Sequence, residues 1–206
     1  SLTPGAIVLM AEIAAEVLPA DLVQSAIGGG ALGQALAEHI GIDAISFTGS
    51  VEVGKRVAIA AAGHLAEVSL ELGGKNPAIL HDATDLEPVL DEIMASAFAV
   101  CGQRCTAVSR VVVNRTLEAQ VVAGLSKRAK AMQPMNGASD GAKIGPLASL
   151  QQLQDVDGFV TRAKAAGATV AAGGEKLKMV SGGYFYTSTI LSNVTRDMEV
   201  ARDEVF

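Results

Sequence analysis

The sequence predicts an α/β fold. Two observations carry that expectation. Apolar residues alternate between helical and strand spacing as far as Leu72, and glycines close or separate the segments at Gly28-Gly29-Gly30, Gly41 and Gly73-Gly74. A third is composition. The 206 residues are 50% hydrophobic and 18% charged, enough to bury a core and too apolar for a disordered chain. The length suits one ordinary domain or parts of two.

Thr3 is placed to cap a helix with Pro4 in its first turn, and Ile7, Met10, Ala11, Ala14, Val17 and Leu18 then repeat at helical spacing. Leu22–Ile27 is a short apolar run, read as a strand. Ala31–Ile40 reads as helix with Gly41 as its stop. Ala44–Phe47 reads as a buried strand, Ser50 as the N-cap of a helix over Val51–Ala62, and Glu67–Leu72 as a further strand. Helix, strand, helix, strand, helix, strand is the rhythm of a parallel sheet.

The pattern restarts after Gly73-Gly74. Pro77–Leu80 is a strand, Leu86–Val100 a helix with an Ala-rich face, Val108–Val113 a β-branched strand and Leu117–Met132 a helix. Gln133–Leu147 is a loop rich in Gly and Pro. Leu150, Leu153, Val156, Val160 and Ala163 mark a helix, Ala168–Ala171 a strand, and Tyr184–Val194 an extended segment. Two α/β units, 1–72 and 73–206, are expected to meet here.

Composition narrows the function classes. The net charge of −6 argues against a nucleic-acid partner, since little would replace the counterions of a phosphate backbone. Uncharged stretches such as Leu22–Ala37 carry too many polar residues and glycines to cross a bilayer, so no membrane association is expected. Cys101 and Cys105, four apart, form no disulfide framework, which points to a reducing, cytoplasmic compartment. The start at Ser1 and the apolar end at Val205-Phe206 read as a chain cut short.

Several residues could carry chemistry. Gly28-x-Gly30-x-x-Gly33 follows an apolar run and opens a helix, as a dinucleotide fingerprint does. No acidic residue closes a second strand about 20 positions later, so a plain tight turn reads equally well. Phe47-Thr48-Gly49-Ser50 would present backbone N–H groups and a hydroxyl at a helix start, a geometry that binds phosphate; an ordinary capped helix is the alternative. Cys105 sits in Gly102-Gln103-Arg104-Cys105-Thr106, and a thiol in a Gly-bounded loop beside an Arg suits a nucleophile. The competing reading is a small buried hydrophobe, which fits Cys101 better. Glu71 ends an apolar strand against two glycines and suits a general base, or else points to solvent. His39, His64 and His81 all precede Cys105 and none lies in a motif, which disfavours a Cys–His hydrolase.

Taken in order, these segments resemble the aldehyde dehydrogenase superfamily. The matching pieces are Phe47-Thr48-Gly49-Ser50, Glu71-Leu72-Gly73-Gly74-Lys75 and Gly102-Gln103-x-Cys105-Thr106, with Cys105 placed 34 residues after Glu71. Ile144-Gly145-Pro146-Leu147 and Asp203-Glu204-Val205-Phe206 complete the match. The resemblance implies a Rossmann-like cofactor domain, whose second half is 1–72, followed by an α/β catalytic domain over 73–206. It implies NAD(P)+-dependent oxidation of an aldehyde to a carboxylic acid. Cys105 would form a thiohemiacetal and then a thioester, and Glu71 would activate the hydrolytic water. The oxyanion would be held by the Cys105 backbone N–H and by an Asn that the family carries well upstream of Ser1.

For NAD or NADP, the family pattern maps Gly49 and Ser50 to the pyrophosphate and Gly30 to the neighbourhood of the adenine. The Leu72 carbonyl falls to the carboxamide, Glu204 to the nicotinamide ribose and Phe206 to the nicotinamide ring. Gly28 and Gly33 then fall to structural roles. Arg104 and Thr106 flank the nucleophile, and Arg104 could pair with an anionic substrate such as a semialdehyde. Ser1 stands where many relatives carry a Glu that repels a 2′-phosphate, so NADP+ is expected to be tolerated beside NAD+. A homo-dimer or homo-tetramer is expected, and no metal. Two rivals differ in class: a coenzyme A-dependent acylating enzyme, against which Glu71 argues, and an inert folded module that only binds or associates.

Overall fold

The computed structural model describes residues 2–179 and 182–206. The Ser1 expectation therefore lies outside the described residues. The chain forms two compact units, residues 1–72 and 73–206. No helix among the described residues is long and apolar enough to cross a membrane.

The first unit opens with α1, Gly5–Val17. Thr3 does not cap it. Pro4 occupies the cap position at φ −76°, ψ −21°, and its carbonyl accepts from the Val8 N–H at 3.1 Å. The proline ring already holds a helical φ, so the helix begins there without a side-chain cap. Leu22–Ile27 forms no strand. Its residues are exposed and no neighbouring strand among the described residues offers a ladder, which an isolated extended segment needs to persist. α2 spans Gly30–Glu38, ending before the expected Ile40 because His39 turns extended.

β1, Ala44–Gly49, runs parallel to β2, Glu67–Leu72, from Ala44 opposite Glu67 to Gly49 opposite Leu72. The crossover is α3, Val51–Ala62, which packs on both strands and on α2. Gly54 makes that approach possible. A Cβ there would lie 2.5 Å from Leu72 Cδ2. Ala61 is fully buried beneath the helix.

In the second unit β3, Asn76–Leu80, pairs in parallel with β4, Val108–Val113. The register slips between Asn76 and Pro77, where proline offers no ladder donor. The connecting helix α4, Glu87–Phe98, ends two residues short of the expected Val100. α5 follows over Glu118–Ala131. Leu90 and Val121 are the largest fully buried side chains and pack with Leu80, Ile93, Met94 and Leu125. Arg128 stitches α5 to α4 through Asp91 at 2.7 Å and Glu87 at 2.9 Å.

α6, Leu150–Ala165, is capped by Ser149, whose hydroxyl accepts from the Gln152 N–H at 3.1 Å. The remaining strands are short and antiparallel. β5, Thr169–Ala172, pairs with β8, Ile190–Ser192, and β6, Lys176–Leu177, pairs with β7, Phe185–Tyr186. The extended segment expected over Tyr184–Val194 is thus broken between β7 and β8. Its two pieces serve different partners. A last short helix, α7, covers Glu199–Arg202.

Candidate active site

In the first unit Gly49, Ser50, Glu71 and Leu72 lie at the carboxyl ends of β1 and β2, whereas Gly30 opens α2. Gly49 closes β1, and a Cβ there would lie 2.5 Å from the tip of the Phe47 ring, so any other residue would have to displace that ring. Ser50 then turns the chain into α3. Its hydroxyl accepts from the Val53 N–H at 3.3 Å and is engaged as a cap. Above it the Val51 and Glu52 amides begin the helix and have no partner within it. Glu52 adds a carboxylate to that turn, but Arg56 pairs with it at 3.1 Å. The arrangement can accept an anion against backbone N–H groups.

Strand alternation sends neighbouring residues of β2 to opposite faces. Leu72 is half-buried against α3 at Gly54, and Glu71 faces solvent with no hydrogen bond or ion pair of its side chain among the described residues. Gly30 opens α2 with free space where a Cβ would stand, which leaves its backbone approachable. Gly28 has a packing reason of its own, since a Cβ would lie 2.6 Å from Leu32. Gly33 has none among the described residues.

In the second unit Cys105 lies on the loop between α4 and β4. That loop reverses sharply. Ala99–Gly102 makes one 3₁₀ turn in which Val100, Cys101 and Gly102 take left-handed φ values of 51°, 59° and 77°. A β-branched residue pays heavily for this conformation, so the surroundings must hold it. They do so at three points. The Asn76 amide donates to the Cys105 carbonyl at 2.5 Å and to the Ala107 carbonyl at 3.1 Å. The Cys101 sulfur accepts from the Gly145 N–H at 3.1 Å. Gln103 Oε1 accepts from the Ala148 N–H at 3.0 Å. Residues 145–148 thereby become a brace for the Cys105 loop.

The two cysteines accordingly differ. Cys101 is half-buried and engaged, whereas Cys105 is exposed. Arg104 and Thr106 beside it are exposed, and neither side chain has a partner among the described residues. Asn76 escaped sequence reasoning, which stopped at Lys75. A side-chain amide just after Gly-Gly-Lys, at the mouth of a strand, was the available signal.

Lys75 also gains meaning from the fold. Burial lowers its pKa from the ordinary 10.5 to about 8, with the positive charge of Arg110 acting the same way and Asp203 and Glu204 opposing. Glu204 is half-buried against Gly73, where an added Cβ would overlap its carboxylate. Phe206 is 41% exposed and its carbonyl accepts from the Gln152 amide.

The comparisons with known proteins agree across the whole chain. The aldehyde dehydrogenase family model matches residues 1–206. The α-ketoglutaric semialdehyde dehydrogenase of Bacillus subtilis is 38% identical over 192 residues, covering 92% of this chain and 39% of that protein. A betaine aldehyde dehydrogenase of Rhizobium etli is 38% identical over 206 residues, covering 99% of this chain and 42% of that protein. Among solved structures, a betaine aldehyde dehydrogenase of Staphylococcus aureus in complex with NAD+ superposes with a TM-score of 0.93 at 30% identity, over 98% of this chain and 41% of that one. An aldehyde dehydrogenase of Bacillus cereus gives a TM-score of 0.80 at 37% identity, over 84% of this chain and 35% of that one. The chain thus spans about two fifths of the length of the curated relatives it matches. Its α/β architecture and a match along its full length make it a member of the aldehyde dehydrogenase family.

Proposed function

We propose that this chain carries the nucleophile and general base of an NAD(P)+-dependent aldehyde dehydrogenase. The observation that carries the reading is Cys105. It is an exposed thiol on a left-handed, braced loop, between Arg104 and Thr106, whose side chains have no partner among the described residues. In a family that oxidises aldehydes, such a thiol is the group to attack a carbonyl carbon.

The sulfur adds to the aldehyde carbon, the C=O π bond opens and the carbonyl oxygen becomes an oxyanion. The Cys105 N–H has no hydrogen-bond partner among the described residues and is available to that oxygen. When bound, NAD(P)+ supplies the two-electron acceptor that leaves the adduct as a thioester. Glu71 takes a proton from water, the resulting hydroxide equivalent opens the thioester, and the acid leaves with the Cys105 thiolate restored. In the first unit the α3 start with bare Gly49 would take the pyrophosphate of the dinucleotide, Gly30 would leave room for the adenine and the Leu72 carbonyl would accept from the carboxamide. In the second unit Glu204 and Phe206 would take the nicotinamide nucleoside.

The substrate is proposed to be an anionic aldehyde. Betaine aldehyde, named for several relatives, is a cation, and α-ketoglutaric semialdehyde is an anion. Arg104 beside the thiol repels the first and attracts the second. Its side chain is exposed and has no partner among the described residues, which leaves it available. In the whole protein a homo-dimer or homo-tetramer is the proposed assembly, to be measured by light scattering.

Turnover of the protein expressed from its full coding sequence tests these roles. Cys105→Ser should abolish oxidation. Glu71→Gln should keep a first burst of reduced dinucleotide, one per active site, and slow the steady state by about 10²–10⁴-fold. Persistent turnover in Cys105→Ser would refute the assignment. Arg104→Ala should raise KM for a carboxylated aldehyde and spare a neutral one, and equal effects on both would sink the anionic substrate.

A further inference from the structure

α7 and the extended residues after it are met from two directions. From α6, the Arg162 guanidinium makes two parallel hydrogen bonds to Glu199, Nε to Oε2 at 2.5 Å and Nη2 to Oε1 at 3.0 Å. The same guanidinium lies over the Phe159 ring, its carbon 4.9 Å from the ring centre, a cation–π contact. From β4, Arg110 Nη1 donates to the Ala201 carbonyl at 3.0 Å. Further along, Gln152 of α6 donates to the Phe206 carbonyl.

These contacts bracket Glu204. One arginine grips the first residue of α7 and the other its third. Gln152 holds the chain two residues beyond Glu204. Between them the Glu204 carboxylate rests where Gly73 has no side chain, and Lys75 attracts both it and Asp203. None of these holding groups is itself at the end of the chain, and two belong to α6, far from the Cys105 loop in sequence.

We propose that Arg162 and Arg110 are positioning residues for the dinucleotide, acting through α7 to set Glu204 against Gly73. This rests on the reading above that Glu204 and Phe206 contact the nicotinamide nucleoside. A carboxylate binds two ribose hydroxyls well only when its oxygens are fixed before the ligand arrives, so loosening α7 should weaken the dinucleotide alone. The Cys105 loop has its own braces, on Asn76 and Gly145, and does not share these arginines.

The test is a charge swap in the protein expressed from its full coding sequence. Arg162→Glu and Glu199→Arg are made singly and together, with Arg110→Met and Arg110→Lys beside them. NAD+ binding is measured by calorimetry without aldehyde, and KM for NAD+, KM for the aldehyde and kcat are measured well below the melting temperature. Each single swap and Arg110→Met should raise Kd and KM for NAD+ by about three- to tenfold, with kcat and aldehyde KM within about twofold. The double swap and Arg110→Lys should recover most of the loss, and a merely structural defect would lower kcat and raise the aldehyde KM along with Kd and KM for NAD+. If the single swaps do not fold, Arg162→Lys, which keeps the charge but not the two-pronged bond, decides by the same split. Wild-type binding with no loss in the variants, or losses shared equally by kcat and aldehyde KM, overturns the positioning role and leaves the proposed activity standing. Failure of the wild type to bind NAD+ and NADP+ overturns the activity itself.

Discussion

Asn76 offers the sharpest test of how the Cys105 loop is held. Its amide makes two hydrogen bonds, to the Cys105 and Ala107 carbonyls. A net neutral hydrogen bond contributes about 0.5–1.5 kcal/mol, so Asn76→Ala should cost about 1–3 kcal/mol. The left-handed backbone of Val100 and Cys101 stores a comparable amount, about 1–2 kcal/mol at each. Removing Asn76 therefore takes away a large part of what offsets that strain. For a chain of this size the melting temperature should fall by about 4–8 °C for the middle of the range. The rate of Cys105 alkylation by iodoacetamide, followed by peptide mass, should shift by about threefold or more as the turn relaxes. Asn76→Asp separates bonding from shape. At pH 7 its carboxylate faces two carbonyl oxygens and should cost more than alanine. Near pH 4 a protonated acid can donate to one of them, and part of the loss should return. Variants that melt within 1 °C of wild type and alkylate at its rate would refute this account of the loop.

Lys75 and Gly54 extend the same logic. The pKa of Lys75 is depressed from 10.5 to about 8, so the folded chain pays to keep it charged. That cost is fully present below pH 8 and is relieved as pH rises toward 10.5, because the unfolded chain holds the proton longer. The shift corresponds to about 3 kcal/mol, reduced to about 1–2 kcal/mol because Lys75 is partly solvated. Lys75→Met should thus be more stable than wild type at pH 7, with the advantage gone near pH 10.5. Urea unfolding across that range checks it, and a constant difference would count against it. Gly54→Ala drives a Cβ to 2.5 Å from Leu72 and should cost about 1–3 kcal/mol. Leu72→Ala in the same chain should recover part of that loss, and strict additivity of the two would exclude the contact as its cause.

Much of the fold was legible because local spacing and tertiary partners agree. From Ala44 to Leu72 the alternation of β1 and β2, the Ser50 cap and the apolar side of α3 all demand the same parallel unit, and no residue there argues otherwise. Leu22–Ile27 shows the limit of that reading. Its residues suit a strand, but a strand exists only through a neighbour, and no neighbour can be read from a run of apolar letters. Thr3 failed as a cap because the proline after it already supplies a helical φ. The antiparallel pairings of β5 with β8 and β6 with β7 were hidden for a related reason. Strands of two to four residues are too short to show a period.

The candidate site divides along the same line. Motif residues announce themselves by type: Cys105 between Arg104 and Thr106, Glu71 before two glycines, Gly49 before a capping Ser. What holds them does not. Cys101 ends an apolar helical face and Val100 is β-branched, so neither letter announces the left-handed turn by which the chain reverses there. Only long-range contacts hold that turn, and each comes from residues distant in sequence: Asn76 from the mouth of β3, Gly145 and Ala148 from the loop after α5. This also settles how two cysteines four apart come to differ. Continued as helix, the spacing would set both on one face. With the chain reversed at Val100–Gly102, Cys101 turns inward to take the Gly145 N–H and Cys105 is left facing solvent. The exposed thiol is thus a product of strain paid at its neighbours, and a substitution that let α4 run on would bury the distinction along with the loop.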